Sequence, residues 1–200
     1  MALRIQYNKT AIQQFQRQLS IREKALPTLK SKETALRVEV KKAGYELERL
    51  KKSLDEQYQS MEEMMRFWTE FPDILSIKEA KVRIKNIAGV RIPILDDVEF
   101  ESTEILWPNQ PAWIPRGKEK LKELLRLKMN IRVVQKQFDV LNYARKKTTQ
   151  KVNLYEKVQI PQYKDAIRKI KRFLEDKENL SKAAQKIVKE RNQSREEEPA

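Results

Sequence analysis

The sequence predicts a mainly α-helical protein: a long antiparallel two-helix coiled coil with a small mid-chain β-hairpin/loop cap. Three observations predict this class: apolar residues recur every three or four positions in both flanks, prolines cluster between the flanks, and the 200 residues include only three glycines. High charge with little glycine favours long helices. The expected segments are a coiled-coil helix over 1–71, a hairpin and proline-rich loop cap over 72–115, a second coiled-coil helix over 116–192, and a disordered tail over 193–200.

The N-terminal flank carries a sustained heptad. With position a at Ile12, fifteen of the eighteen a and d positions up to Phe71 are apolar. The chain's overall composition of 40% apolar residues would give about seven, so the stripe indicates a coiled coil. Three positions in the stripe are polar: Arg22, Glu33 and Gln57. They have two interpretations, because such residues fix the register of paired helices or mark places where the helices diverge to receive another protein.

The C-terminal flank repeats the pattern with one interruption. Eight of ten positions at 3–4 spacing between Leu124 and Tyr155 are apolar, and the stripe then slips by one residue around Pro161 before resuming at Tyr163. A slip beside a proline within a helix predicts a local kink or unwinding. Because a lone amphipathic helix cannot bury its stripe, we expect the flanks to fold back at the middle segment and pair antiparallel.

The middle segment is predicted to be non-helical, because it holds five of the eight prolines. Residues 81–85 alternate apolar and basic side chains, which predicts a half-buried strand. A bend over 87–90 separates this strand from further alternating runs at 90–94 and 98–100. We therefore expect one or two short hairpins, followed by an aromatic and proline-rich loop over 107–113 that leads into the second helix.

The residue types present exclude several kinds of chemistry. With no histidine and no cysteine, the chain has no zinc-finger site, Cys-His pair or Ser-His-Asp triad. Three glycines cannot build a phosphate-binding loop. The acidic cluster over 96–104 lacks the spacing of a calcium loop and is better explained as a solvated strand edge. We predict no catalytic, cofactor-binding or metal-binding residues, and we consider an enzyme using carboxylates alone the least favoured alternative.

Net charge of +14 raises the question of nucleic-acid binding. The excess is concentrated in residues 116–200, which carry 24 basic and 12 acidic residues, and one helical face there groups four cations: Lys164, Arg168, Lys171 and Arg172. No base-reading motif is present, and aromatic residues do not interleave with the basic ones as a stacking platform requires. Solvated helix faces or protein-facing charge explain the pattern better, so no nucleic-acid partner is predicted.

Hydropathy gives no reason to expect a membrane span. No run approaches the roughly 18 apolar residues that a spanning helix needs, and residues 1–10 have no apolar signal-peptide core. The expected location is therefore the cytosol.

Three stretches together resemble a known family. They are Tyr7–Thr10 with the leucine-rich helix through residues 24–32, Lys85–Pro93, and Lys151–Pro161. The third is the most specific, because Lys-Val-Asn-Leu-Tyr-Glu followed by Ile-Pro resembles the family's Arg-Val-Asn-Ala-Leu-Glu and Ile-Pro. The chain is similar to the D subunits of the V-type (V/A-type) ATP synthases, which are the central-stalk rotor subunits, in order and spacing over about residues 7–190.

The resemblance implies a non-catalytic shaft. Family members are antiparallel coiled coils whose terminal helices enter the catalytic hexamer of A and B subunits, while the F subunit binds the shaft and the C subunit, or its equivalent, holds the foot. Rotation of the membrane ring turns the shaft, which couples ATP synthesis or hydrolysis to proton or sodium transport. The implied location is cytoplasmic and peripheral to the membrane. The alternative is a free-standing basic helical-hairpin adaptor or nucleic-acid-binding arm.

Two sets of candidate residues follow for a shaft. The basic face defined above, with Asn153 and Glu156 from the third stretch, is expected to bind partner subunits. Pro27 and Pro161 are expected to set the bend of the shaft, since each is the interior proline of its flank.

Overall fold

The structure, a computed structural model, describes residues 5–62, 71–102 and 113–196, with side chains up to residue 193. In chain order its elements are α1 (Lys9–Glu62), β1 (Leu75–Ile87), β2 (Val90–Ser102), α2 (Trp113–Asn153), a π-helix (Leu154–Gln159) and α3 (Ile160–Glu196). The predicted fold class is confirmed, because long helices flank a two-stranded antiparallel hairpin.

Segment boundaries differ from the sequence-based expectation at both ends of the chain. The first helix begins at Lys9 rather than at residue 1. The second helical stretch begins at Trp113 rather than at 116, and it continues to Glu196, so the first four residues of the expected disordered tail are helical. Residues 193–196 include arginine and glutamate, which are good helix formers. The heptad positions Met64 and Trp68, and most of the loop expected over 107–113, lie outside the described residues.

The chain divides into two compact units, which share α1 and α2. The terminal unit comprises Met1–Lys30 and Thr149–Ala200, and the central unit comprises Ser31–Thr148. Within each unit the contacts run antiparallel. In the terminal unit Tyr7 meets Phe173 and Phe15 meets Tyr163, so residue numbers rise along one helix as they fall along the other.

The central unit buries aliphatic residues between α1 and α2. Leu36, Ala43 and Leu141 form one cluster together with Ile92 from β2. A second cluster contains Leu47, Leu50 and Val134. Leu36, Ala43, Leu47 and Leu50 are all predicted a or d positions, so the heptad identified the buried face of α1. Burying each leucine side chain contributes roughly 1.5–3 kcal/mol.

The hairpin turns sharply at its tip. β1 and β2 pair from Leu75 and Ser102 to Ile87 and Val90, which leaves a two-residue turn. Both turn residues, Ala88 and Gly89, have positive φ, 49° and 76°. Positive φ at both positions is the requirement of a type I′ turn, whose twist matches that of the strands. The tip folds onto the helix pair, since Ile87, Ala88 and Val90 pack against the cluster that contains Leu36 and Leu141.

The expectation that residues 81–85 form a half-buried strand is wrong in its burial, although the strand itself is present. All five residues are exposed, and Ile84 has 69% of its surface accessible. The hairpin instead buries Ile92 and Val98 of β2. Register shifts between Ile77 and Glu79 and between Lys81 and Val82 interrupt the regular alternation of β1. The runs at 90–94 and 98–100 belong to one strand, β2, rather than to two.

In the terminal unit, α1 begins with a side-chain cap. Asn8 Oδ1 accepts a hydrogen bond of 2.6 Å from the Ala11 backbone N–H, which satisfies one of the unpaired donors of the first turn. The buried residues of this unit are few and mostly small or β-branched: Ala11, Val152, Ile160, Ala166 and Ile170. Two aromatic pairs, Tyr7 with Phe173 and Phe15 with Tyr163, also join the helices.

The local unwinding predicted near Pro161 coincides with the π-helix Leu154–Gln159. The Ile160 N–H donates to the Tyr155 carbonyl oxygen, five residues back rather than four. Such a wide turn directly before a proline relieves the clash between the proline ring and the carbonyl four residues earlier. Pro27, by contrast, lies inside α1.

Candidate functional site

The predicted basic face lies on α3 in the terminal unit, and its four cations are exposed. Two of them already have acidic neighbours. Lys164 Nζ lies 2.9 Å from Glu23 Oε1 on α1, and Arg168 lies 2.8 Å from Asp165 on its own helix. Each ion pair is solvent-accessible, so it contributes little to stability and leaves both groups available to exchange partners.

The two residues taken from the third sequence stretch lie at the π-helix. Asn153 is the residue immediately before it. Its side chain is exposed and makes no capping hydrogen bond to the π-helix. Glu156 lies within the π-helix and forms an ion pair with Lys30 of α1, at 2.6 Å between Nζ and Oε1. Glu156 therefore has an internal role in joining the helices of the terminal unit.

Arg22, one of the polar stripe positions, makes several contacts between the helices of the terminal unit. Its Nε donates to Gln159 Oε1 at 2.6 Å, and its guanidinium lies over the rings of Tyr163 and Tyr155, 4.7 and 5.7 Å from their centroids. Its Nη1 also donates to the backbone oxygen and side-chain oxygen of Gln18. These contacts agree with the first interpretation of the polar stripe positions, that of a register-fixing residue. The sequence signal for this role is an arginine among mostly apolar stripe positions of the first flank, together with two tyrosines, Tyr155 and Tyr163, in the stripe of the second flank.

The other two polar stripe positions have local neighbours. Glu33 pairs with Arg37 one turn later on α1, at 2.9 Å. Gln57 lines a groove of about 420 Å³ with Asp96 and Arg126 in the central unit. Neither arrangement distinguishes register control from divergence of the helices.

Three residues of the predicted acidic cluster, Asp96, Asp97 and Glu99, interact within the hairpin, which fits the interpretation of a solvated strand edge, and Glu104 lies outside the described residues. Asp96 lies 3.6 Å from Arg83 across the strands, and Glu99 pairs with Lys81. Asp97 accepts a hydrogen bond of 2.7 Å from the Val98 N–H. The hydrogen bond and charge of Glu99 raise the pKa of Lys81 above its ordinary value. Among the described residues, no group of three or more acidic side chains is placed to hold a metal ion.

No helix described here, over residues 5–62 and 113–196, combines the length and the apolar composition that crossing a membrane requires.

Comparison with known proteins supports the resemblance over nearly the whole chain. The V-type ATP synthase D subunit of Borreliella burgdorferi is 30% identical over 195 residues, which cover 93% of this chain and 94% of the relative. The proteins of the same name from Chlamydia muridarum and Chlamydia abortus are 27% and 24% identical, with at least 98% of both chains covered. The sequence model of the ATP synthase D-subunit family matches residues 11–190. This chain therefore belongs to the ATP synthase D-subunit family.

Proposed function

We propose that this chain is the non-catalytic central-stalk rotor shaft of a V/A-type ATP synthase or ATPase. The observation that carries the proposal is the family match over residues 11–190, which spans both helical flanks and the hairpin. In this role the chain couples ATP synthesis or hydrolysis in a hexamer of A and B subunits to proton or sodium transport through a membrane ring. It works in the cytoplasm, peripheral to the membrane.

The physical basis of the coupling is a rigid body with unequal faces. A rotor changes the nucleotide affinity of each catalytic site only if its contacts with that site differ from one orientation to the next. A helix pair with a hairpin on one side of the central unit offers such unequal faces. In this scheme the F subunit binds the shaft, and the C subunit or its equivalent holds the foot.

Purification of the tagged chain from its own cells, followed by mass spectrometry, tests the assembly. We expect the A, B and F subunits to co-purify, and nuclease treatment should not change the result. Recovery of RNA without these subunits would contradict the rotor and favour a nucleic-acid-binding arm. A matched control is the chain with Ile170→Asp, because a charge at this fully buried position disrupts the terminal unit.

The basic face is proposed to meet acidic loops of the surrounding stator subunits. Long exposed cations can exchange acidic partners during rotation, since exposed ion pairs are individually weak. Lys164 and Arg168 would exchange their internal partners for stator carboxylates, while Lys171 and Arg172 are exposed on the same helix. Asn153 and Glu156 are proposed to extend this contact surface toward the π-helix.

Reversing all four charges to glutamate should lower the ratio of ion transport to ATP hydrolysis in the assembled complex, because like charges then oppose each other. The matched control reverses four exposed cations of the central unit, Lys41, Lys42, Arg49 and Lys52. Unchanged coupling in the first variant, or an equal loss in the control, would refute the assignment.

Pro27 and Pro161 are proposed to set the bend of the shaft, because prolines within helices remove a hydrogen bond and displace the preceding turn. Pro27→Ala combined with Pro161→Ala should straighten the shaft in an electron-microscopy map of the complex, and each single change should straighten it partly. A double variant with the original curvature would show that the prolines do not determine it.

A further inference from the structure

Two pairs of residues across the π-helix are separated by one residue more than a heptad. Val152 and Ile160 are both buried, and they are eight residues apart. Tyr155 and Tyr163 are also eight apart, yet both rings lie against the guanidinium of Arg22. In an α-helix, residues eight apart differ by about 80° around the axis, whereas residues seven apart differ by about 20°. Between the two members of each pair, the chain therefore holds one residue more than the heptad spacing of a continuous α-helix.

The π-helix is where the surplus residue is accommodated. Its hydrogen bonds span five residues, as from the Ile160 N–H to the Tyr155 oxygen, so each hydrogen bond encloses one residue more than in an α-helix. Proline alone does not explain this geometry. Pro27 lies within α1, which remains α-helical through that position. The eight-residue spacing of the two pairs gives the wide turn a second cause besides Pro161, which follows it directly.

Arg22 contacts both ends of this wide turn from the opposite helix. It faces Tyr155 near the start, donates to Gln159 at the end, and lies over Tyr163 one turn beyond. Gln18 holds the same guanidinium on the α1 side through two hydrogen bonds, of 3.0 and 2.6 Å. A planar guanidinium with a fixed set of donors suits this multiple contact better than a lysine ammonium does.

We propose that the π-helix Leu154–Gln159 is a register joint that takes up one surplus residue, and that Arg22 is the positioning residue that fixes it there. The inference goes beyond the rotor function and does not depend on it. If the surplus residue moved along the helix, the stretch that it crossed would rotate by about 100°. By holding the surplus at 154–159, Arg22 fixes the direction in which the basic face of α3 points.

Single-residue deletions test the joint in the full-length chain. All variants carry Pro161→Ala, so that the effect of a proline in a restored α-helix is the same throughout. Deletion of Lys157, which is exposed within the π-helix, brings Val152 and Ile160 to heptad spacing. Deletion of Lys169, exposed in α3, is the matched control, because it moves Lys171 into the fully buried position of Ile170.

We expect deletion of Lys157 to leave Tm within about 2 °C of the background or to raise it, and deletion of Lys169 to lower Tm by about 5 °C or more. The proposal would be overturned if deletion of Lys157 lowered Tm by more than half as much as deletion of Lys169 does, or if the chain lacking Lys157 failed to fold. Because the chain has no cysteine, a Phe15→Cys and Tyr163→Cys pair can be cross-linked by a short bismaleimide. Retention of this cross-link after deletion of Lys157 is expected, and its loss would overturn the proposal.

The role of Arg22 is tested by amide hydrogen exchange over residues 155–160. Arg22→Met should accelerate this exchange by about tenfold, since local opening of the π-helix becomes easier. Arg17→Met, which removes an exposed arginine from the same helix, should leave it unchanged. In the chain lacking Lys157 the effect of Arg22→Met should disappear, because no surplus residue remains to be held. The assignment would be overturned if Arg22→Met accelerated exchange equally in the chains with and without Lys157. It would also be overturned if Arg22→Met had no effect in the chain that retains Lys157.

Discussion

In the central unit, leucines and a valine fill the space between the helices, whereas the terminal unit combines a few buried aliphatic residues with partly buried aromatic rings and a guanidinium. Leu36, Leu47 and Leu141 are buried in the central unit. Phe15 and Arg22, which are d positions of the same heptad, are only partly buried in the terminal unit. One continuous sequence pattern thus contains two kinds of contact.

The difference separates stability from register. Aliphatic side chains gain from the area that they bury, and successive heptads of a leucine stripe offer them nearly equivalent positions. Aromatic pairs and cation–π contacts depend on orientation, so a shift by one heptad removes them. We infer that the central unit supplies most of the folding free energy, and that the terminal unit determines which residues face each other.

The largest test of this contrast compares truncations in the two units. Leu36→Ala should lower the free energy of unfolding by about 3 kcal/mol, because the leucine is fully buried beside Leu141 and Ile92. Phe15→Ala should cost only about 1–2 kcal/mol, since the ring is half-buried against Tyr163. Urea unfolding followed by circular dichroism measures both. Equal losses would show that the terminal unit is as strongly packed as the central one.

A smaller test uses two glycines of the central unit, where the same substitution should have opposite effects. Gly89→Ala should lower stability by about 1 kcal/mol, because the hairpin turn needs positive φ there and the added carbon would lie 3.2 Å from Lys32 Nζ. Gly44→Ala should raise stability by roughly 0.5–1 kcal/mol, because Gly44 is helical and the added carbon would make an ordinary 3.6 Å contact with Phe138. Changes of the same sign would contradict this account of the hairpin tip.

The smallest test separates the units by pH. A hydrogen bond from Lys182 lowers the pKa of Glu178 in the terminal unit, so that pair's contribution is present above the unfolded-state pKa and is lost as the pH falls through the folded-state pKa. The raised pKa of Lys81 in the hairpin has the opposite sign: its contribution is present below the unfolded-state pKa and disappears as the pH rises through the folded-state pKa.

Both pairs are exposed, so the effects should be small. Nuclear magnetic resonance titration of the two side chains measures them directly. The pKa values of Glu178 and Lys81 should move toward their ordinary values in Lys182→Met and Glu99→Gln, respectively. An unchanged Glu178 pKa in Lys182→Met, or an unchanged Lys81 pKa in Glu99→Gln, would refute the assigned cause.

Sequence periodicity predicted the helices well because their buried faces repeat at helical spacing over long stretches. It also located the one-residue slip near Pro161, since Val152, Tyr155 and Tyr163 are all recognisable stripe residues. It could not specify a π-helix, because a kink or an unwound turn would produce the same slip. Nor could alternation alone decide which strand of the hairpin is buried: Val82 and Ile84 alternate as regularly as Ile92 and Ile94 do. The register shifts of β1 and the docking of β2 decided it.

The closed base of the hairpin also affects how the two helices find each other during folding. Pairing α1 with α2 closes a chain segment whose middle is the hairpin, and Leu75 and Ser102 lie side by side at its base. Hairpins form within about 1–10 µs from local contacts alone. Once formed, the hairpin bypasses the residues between its ends, which shortens the effective loop and reduces the entropy lost on closing it. Its tip then packs against the cluster that contains Leu36 and Leu141, one from each helix, and so favours the encounter of the two flanks.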